Sequence, residues 1–500
     1  MFRLTRRQAA MLLLPSFAAA RAPRKKSVSL QAAIDQELVS ATPLASAFLG
    51  ALVVRLADGA VLYKRNQDHL FVPASNAKLF TTALALMRLG PNYRFTTSVI
   101  AQGPVDANGN LQGDLVLVGR GDPSLSSRIY PYTTEPSTLD PLQAIEDLAD
   151  QLLNGGLRAV AGDIVGDDTR YPWAPYPSGW AAGDETWDYG APVSALTIND
   201  NWIAVTIQPA EDDGELARIS LLPPIEYFNV SNRIVTDAAP KKTIHLERHA
   251  GSRELELWGR IGIRETPTVE KVAVPDPALF AAMALRDALT RRGIAVHGDV
   301  AARHRPLSEA DDSATAASTG SELARRTSPP LIQLLQVVDK VSQNLHAEIL
   351  LREVGAVRRN QGTLKAGLLE MDDFLASAGL DSEQHHLRDG SGLSRNALVT
   401  PEAIVKLLVF LARSPVREQF LGLLPVGGED GSLRLRFKGH KEARSVHAKT
   451  GTLSDVHALS GYAESQQHGM VAFSFMVNNV SGDSLKVSRF LDNIGLKLLP

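Results

Sequence analysis

Pro73-Ala74-Ser75-Asn76-Ala77-Lys78 stands between a strand-like hairpin and a run from Asn76 to Leu89 that has the apolar spacing of a helix and stops at Gly90-Pro91. The break at Pro73 predicts Ser75 at a helix N-terminus, and the three-residue spacing sets Lys78 above it on the same face. A hydroxyl with an amine one turn away equips an acyl transfer in which lysine replaces histidine as the base. Two further motifs follow in order. Ser342-Gln343-Asn344 brings a hydroxyl and an amide at the head of a helical run, and Lys449-Thr450-Gly451 brings a cation on a strand. With average residue usage, Ser-x-x-Lys arises by chance roughly once or twice in 500 residues and Lys-Thr-Gly roughly 0.1 times. The ordered set therefore carries the reading, and no single motif does.

Ser75 is the candidate nucleophile and Lys78 its general base. A lysine is protonated at pH 7 unless it is desolvated or set beside another cation, which Lys449 can supply. Backbone N–H groups at the helix start would face the developing oxyanion. The chain holds two Ser-x-Asn matches, and the second, Ser394-Arg395-Asn396, lies in a Gly-rich turn where such residues commonly satisfy backbone groups. Ser342 instead opens an amphipathic run and can project into a cleft, so Ser342 and Asn344 are preferred. Ser342 would relay a proton between Lys78 and a leaving amine, and Asn344 would hold Lys78 and a substrate amide. Lys449, Thr450 and Thr452 suit a carboxylate or an oxyanion, while Gly451 would keep an edge strand open to an extended peptide. The plain alternatives are a capped helix, a solvated lysine and a polar edge strand.

The 500 residues carry 44% hydrophobic and 21% charged residues, the balance of an ordinary globular chain, with a net charge of −3. That charge gives no reason to expect nucleic acid or an anionic membrane surface as a partner. Arg3, Arg6 and Arg7, an apolar run from Ala9 to Leu14 and the small residues Ala18-Ala19-Ala20 read as an export signal over residues 1–20. Thr5-Arg6-Arg7 is compatible with a twin-arginine route as well as with general export. Cleavage after Ala20 would leave 49 basic against 55 acidic residues, a charge of −6. The absence of cysteine excludes thiolate metal sites, disulfides and a lipid-attachment cysteine. No later stretch has the roughly 20 unbroken apolar residues of a membrane span. No cofactor or metal site is expected: the acidic group Asp163, Asp167 and Asp168 reads as strand-and-turn chemistry, and His245 and His457 show no zinc-ligand spacing.

Patterning divides the chain into a first part of the catalytic domain (28–90), a mostly β insert (91–274) and a second part (275–500). The first part holds a short helix from Leu30 to Leu38 and strands Ala47–Leu56 and Val61–Lys64 around Ala57-Asp58-Gly59. One helix is expected inside the insert near Leu142–Leu153, and another from Asp276 to Arg292 at the return. Ser308–Ser321 reads as a surface loop. Helical periodicity dominates from Leu331 to Leu411, interrupted by Asp389-Gly390-Ser391-Gly392. Strands follow at Arg444–Lys449, Val456–Tyr462 and Met470–Met476, then a closing helix from about Asp483 to Leu499.

Longer stretches extend the three motifs: Gly113 to Leu117 with Gly121-Asp122-Pro123, Gly190 to Leu196, Ser328 to Leu331, Asp389 to Arg395, and Ala448 to Leu453 ahead of Leu459-Ser460-Gly461-Tyr462. Together they resemble the class C low-molecular-mass penicillin-binding proteins, the D-alanyl-D-alanine carboxypeptidase/endopeptidase family of serine peptidases, from about residue 40 to the end. The resemblance implies an α/β penicillin-recognising, β-lactamase/transpeptidase-like domain. Its antiparallel sheet is flanked by helices, carries a helical subdomain and is interrupted by a β insert of two nested domains. It implies an acyl-enzyme on Ser75, base Lys78, assisting Ser342 and Asn344, and Lys449, Thr450 and Thr452 at the terminal carboxylate. The N–H groups of Ser75 and Thr452 would form the oxyanion hole. Peptidoglycan stem peptides are the implied substrates, β-lactams the covalent inhibitors, and the periplasm or cell wall the location. Three departures bear on substrate preference: Asp339 where Asn is usual, His346 where Tyr is common, and Glu429-Asp430-Gly431-Ser432 where Gly-Thr usually ends the segment. A β-lactamase, a non-catalytic wall-binding scaffold that works through the insert, and a promiscuous esterase stay open as alternatives.

Overall fold

The computed structural model describes residues 29–40, 47–239, 242–310, 319–480 and 482–500. The expected export signal and most of the Ser308–Ser321 loop lie outside the described residues.

One five-stranded antiparallel sheet anchors the catalytic layer. Its order is Val446–Leu453, Val456–Ser465, Gly469–Asn478, Phe48–Arg55 and Val61–Arg65. The strand Phe48–Arg55 is apolar almost throughout because both of its faces are covered. Leu49, Ala51 and Val53 pack with Phe473, Phe475 and the closing helix Ser484–Lys497, while Leu52 and Val54 face the opposite core. That second core surrounds the helix Lys78–Leu89, whose residues are buried from Lys78 through Leu86. A helix apolar on all sides is a core helix. It ends at Gly90, whose φ of 84° suits glycine ahead of Pro91. Helices Leu331–Lys340, Asn344–Arg359, Leu364–Ser377 and Pro401–Ala412 complete the helical block.

The insert is built on a second five-stranded sheet, in the order Val300–Arg305, Ile164–Pro172, Asp114–Val118, Thr96–Gln102 and Ser321–Thr327. Nested within it, residues 202–273 form two three-stranded sheets. The return to the catalytic layer, expected at residue 275, comes later. Helix Pro277–Arg291 buries Phe280 and Leu285 in the insert's own core. Val300–Arg305 runs parallel to Ile164–Pro172, and Ser321–Thr327 pairs antiparallel with Thr96–Gln102. Hydrogen bonding thus keeps the chain with the insert through Thr327. Helical periodicity shows that a face is buried, and it does not show against which layer.

A buried carboxylate joins the two layers. Glu353, on helix Asn344–Arg359, accepts hydrogen bonds from the Tyr171 hydroxyl at 2.8 Å and from Arg170 Nε and Nη2 at 2.8 and 2.7 Å, all from the insert strand. Tyr93 donates a further bond at 2.5 Å. Removing one partner of a buried ion pair strands the other, at a cost of about 3–5 kcal/mol. Glu353→Ala is therefore expected to lower unfolding stability by about that amount. A urea-unfolding midpoint equal to that of the parent protein would show that the junction holds without it.

Candidate active site

Ser75 does not begin the α-helix. Residues Ala74–Ala77 form a single 3₁₀ turn, and the α-helix starts at Lys78, two residues later than the pattern implied. Ala74 takes a positive φ of 47°, which turns the chain sharply before the serine. The turn is tied to the sheet by Asn76, whose Nδ2 donates to Ser460 Oγ at 2.7 Å. Two glycines permit the close approach of neighbouring segments. A Cβ on Gly392 would lie 1.8 Å from the Ala74 carbonyl oxygen, and one on Gly451 would lie 2.8 Å from that of Pro73. Gly451 thus lets its strand pack against the serine turn, a different reason from the unblocked peptide edge expected of it.

Three residues converge on the Lys78 amine. Its Nζ lies 2.8 Å from Ser75 Oγ, 2.6 Å from Asn344 Oδ1 and 2.7 Å from the Ser391 carbonyl oxygen. Lys78 is wholly buried. Burial drives its pKa well below the ordinary lysine value, and the Lys449 charge adds to the effect; Asp389, Glu348 and Asp339 oppose it.

The Asp389-Gly390-Ser391-Gly392 turn that supplies the carbonyl is held by two buried carboxylates. Glu348 Oε1 accepts from the N–H groups of Gly390 and Ser391 at 2.8 and 2.9 Å. Asp389 accepts from Gly392 N at 2.9 Å, Ser394 N at 2.8 Å and Trp180 Nε1 of the insert at 3.0 Å. Ser394 ties the turn to the insert, its N–H donating to Asp389 and its hydroxyl to the Ser178 carbonyl of the insert at 2.8 Å. The second Ser-x-Asn match is therefore structural.

Ser342 sits between two helices with φ 64°. Its Oγ accepts from Lys449 Nζ at 2.8 Å, and Lys449 also donates to the Thr450 carbonyl at 2.9 Å. Thr450 Oγ1 donates to Ser432 Oγ at 2.7 Å, so the unusual Gly431-Ser432 ending lies beside the motif. Asn344 opens its helix, and its Nδ2 donates to the Tyr189 carbonyl of the insert at 2.8 Å. The amide expected to meet substrate is thus engaged by the protein.

Val446–Leu453 is the edge strand of its sheet. Ala448 N donates to the Pro425 carbonyl and Gly427 N to that of Val446, which covers only the first half of the edge. By the alternation of an antiparallel strand, the N–H groups of Thr450 and Thr452 point to the same side, further along. Asp339 is fully buried and faces Lys449, the Thr82 hydroxyl and Lys78. Burial pushes this carboxyl up, against the pull of Lys449 and Lys78.

A cavity of about 330 Å³ opens at Ser75, with Asn344 and Thr452 on its wall. Asp184 and Tyr189 of the insert and Arg395 of the turn segment line the same mouth. Sequence patterning did not point to Ser391, Glu348, Asp184 or Tyr189, although Asp389 to Arg395 had stood out as a block.

The weaker candidates are occupied elsewhere. Asp163 Oδ1 accepts from Asp299 N at 2.7 Å, Asp167 Oδ1 from Thr169 N at 3.0 Å, and Asp168 Oδ2 from Ser194 Oγ at 2.8 Å. Among the described residues no group of His, Asp and Glu side chains is placed to hold a metal ion, and no helix is long and apolar enough to cross a membrane.

A family model described as the D-Ala-D-Ala carboxypeptidase 3 (S13) family matches residues 30–492. The chain is 35% identical over 451 residues to a D-alanyl-D-alanine carboxypeptidase of Actinomadura sp. (strain R39), covering 88% of this chain and 79% of the relative. It is 25% identical to the D-alanyl-D-alanine carboxypeptidase DacB of Haemophilus influenzae, covering 88% and 87%. In three dimensions it is similar to penicillin binding protein 4 from Haemophilus influenzae, with a TM-score of 0.79 at 23% identity over 93% of this chain and 99% of that one. With a family model spanning nearly the whole described chain and a relative above 30% identity along most of it, the chain belongs to the D-Ala-D-Ala carboxypeptidase 3 (S13) family and is a serine carboxypeptidase.

Proposed function

We propose that the protein removes the terminal D-alanine of peptidoglycan stem peptides through an acyl-enzyme on Ser75, with Lys78 as general base. One observation carries this reading, the set of three partners around Lys78 Nζ. A neutral amine has two N–H bonds and one lone pair. Asn344 Oδ1 and the Ser391 carbonyl can only accept, so they take both N–H bonds and leave the lone pair for the Ser75 hydroxyl proton. Burial and Lys449 favour the neutral form this requires.

Ser75 Oγ attacks the carbonyl between the two D-alanines as its proton passes to Lys78. The N–H groups of Ser75 and Thr452 receive the oxyanion. When the intermediate collapses, the C–N bond breaks and the leaving amine takes a proton through Ser342, which Lys449 orients. Lys449, Thr450 and Thr452 bind the departing residue's carboxylate, and Gly451 allows their strand to lie against the serine turn. Water then attacks the ester with Lys78 again as base, freeing the shortened peptide. Where the leaving amine is a cross-link side chain, the same steps are endopeptidase action. A β-lactam is opened by the same attack, and its amine stays tethered to the acyl group. The assembled nucleophile and base speak against a purely non-catalytic scaffold. The N-terminal signal reading supports export to the periplasm or cell wall.

A fluorescent penicillin should label the purified protein stoichiometrically, and Ser75→Ala should abolish the label and lower D-alanine release by on the order of 10⁴-fold or more. A folded parent protein that takes no label would overturn the acyl-enzyme. Rapid turnover of a chromogenic cephalosporin would favour a β-lactamase.

Asp339 gives a pH prediction. An ionised carboxylate here favours protonated Lys78, and only deprotonated Lys78 can accept the serine proton. Asp339→Asn removes that pull, so the Lys78 pKa falls and the acidic limb of the pH–acylation profile moves to lower pH. An unchanged acidic limb would show that Asp339 does not act on the base, and a shift to higher pH that it acts through Lys449 instead.

A further inference from the structure

We propose that Asp200, a residue of the insert, is a positioning residue that sets the Ser342-Gln343-Asn344 turn through Gln343 and His346. The inference rests on the reading that Ser342 and Asn344 serve acylation at Ser75.

Asp200 is buried, with 2% of its surface exposed, and it is the middle of three consecutive non-glycine residues in left-handed conformation. Asn199, Asp200 and Asn201 have φ of 46°, 49° and 58°. Such strain persists only where surrounding contacts over-determine it, and it gathers at functional sites. The contacts are present. Asn199 N donates to the Leu125 carbonyl at 2.8 Å. Asn199 Nδ2 donates to the Trp202 carbonyl at 2.8 Å, and Asn201 Nδ2 to that of Pro192 at 2.9 Å. They hold the Asp200 side chain toward the catalytic layer.

The carboxylate meets that layer at two points of one helical turn. Oδ2 accepts from Gln343 Nε2 at 3.1 Å, and Oδ1 from His346 Nε2 at 2.9 Å. Arg128 Nε also donates to Oδ2, at 2.7 Å, and neutralises the charge. Gln343 is the middle residue of the motif, and its Oε1 caps the helix by accepting from Leu345 N at 2.9 Å. Both ends of its amide are therefore fixed. On either side of it, Ser342 reaches Lys449 at 2.8 Å and Asn344 reaches Lys78 at 2.6 Å. Anchoring the middle residue fixes the direction of both neighbours.

His346 holds its proton on Nε2 for Asp200, and burial keeps the ring below its ordinary pKa despite that carboxylate. The charges that act most strongly on Lys78 are Lys449, Asp389, Glu348 and Asp339, and Asp200 meets the motif through hydrogen bonds to Gln343 and His346. Its influence on the reaction is therefore geometric. An asparagine at 200 has one accepting oxygen, and its NH₂ would face a donor from Gln343, Arg128 or His346.

The test measures penicillin acylation by the parent protein, Asp200→Asn, Gln343→Ala and the double variant, across penicillin concentration and pH. Labelling of the parent protein comes first and tests the acyl-enzyme reading separately. Displacing a reacting group by about 1 Å can cost on the order of a hundredfold. The maximal acylation rate of each single variant should fall about tenfold to a hundredfold. The half-saturating concentration and the pH midpoint should move less than the maximal rate, because Asp200 itself lines no part of the Ser75 cavity. The double variant should be no slower than the slower single one, since both cut the same link. A merely structural Asp200 would lower the melting temperature with the maximal rate preserved, or give losses that multiply in the double variant, and either result overturns the proposal. Should Asp200→Asn fail to fold, Gln343→Ala decides alone: a parental maximal rate rejects the anchor.

Discussion

Everything around the serine is arranged to hold an amine in a place where water cannot reach it. Burial and the Lys449 charge press Lys78 toward its neutral form against three buried carboxylates, and a buried neutral amine needs both N–H bonds satisfied. Asn344 meets one and the Ser391 carbonyl the other. Neither acceptor is free to drift. Asn344 is tied through its own amide to Tyr189, and Ser391 belongs to a turn whose N–H groups are gripped by Glu348 and Asp389. Glu348 and Asp389 are buried behind that carbonyl, and each takes two backbone N–H groups of the turn segment, which fixes its direction. Glycines at 392 and 451 complete the arrangement by letting the turn and the strand crowd the serine from two sides.

The insert is part of this device. Trp180 braces Asp389, Tyr189 engages Asn344, and the strand bearing Arg170 and Tyr171 is fastened to the motif helix by Glu353. A second sheet with its own core thus contributes polar contacts to the catalytic layer at several separate points. The mouth of the Ser75 cavity combines residues from both layers, so its shape depends on how they are docked.

Much of this was legible in the chain. The Ser75–Lys78 pair could be found because its spacing is local and lies within one turn and the helix it opens. The Lys449 strand and the hairpin at Phe48 were visible through apolar alternation and turn residues. What could not be read came from tertiary partnership. The carbonyl of Ser391 is a backbone group, common to every residue, and its selection depends on a turn folded by two distant carboxylates. Asp200 and Glu353 carry no local signal, since an acidic residue in a loop or on a helix is ordinarily solvated. The start of the α-helix shifted from Asn76 to Lys78 because the left-handed Ala74 and the Asn76–Ser460 bond favour a tighter turn there. The boundary at 275 moved to Thr327 because strand pairing, invisible to local pattern, decides which sheet a segment joins.

The order of strands in the catalytic sheet has a consequence for how the molecule comes into being. Phe48–Arg55 is flanked by Gly469–Asn478, with Phe48 opposite Asn478, and the Lys449 strand is joined to Phe48–Arg55 only through the two strands that follow it in sequence. A ribosome delivers the serine turn some four hundred residues before the strands that complete its sheet. Until those strands arrive, the hairpin of Phe48–Arg55 and Val61–Arg65 presents an unpaired edge and an uncovered apolar face, the form in which β-rich intermediates associate with one another. The insert has no such wait within itself, because its sheet closes at Thr327. It can fold first and keep the two halves of the catalytic layer near each other, which shortens the effective loop that must close. The strands that set Lys449 beside the Ser75 turn are then the last to join the layer.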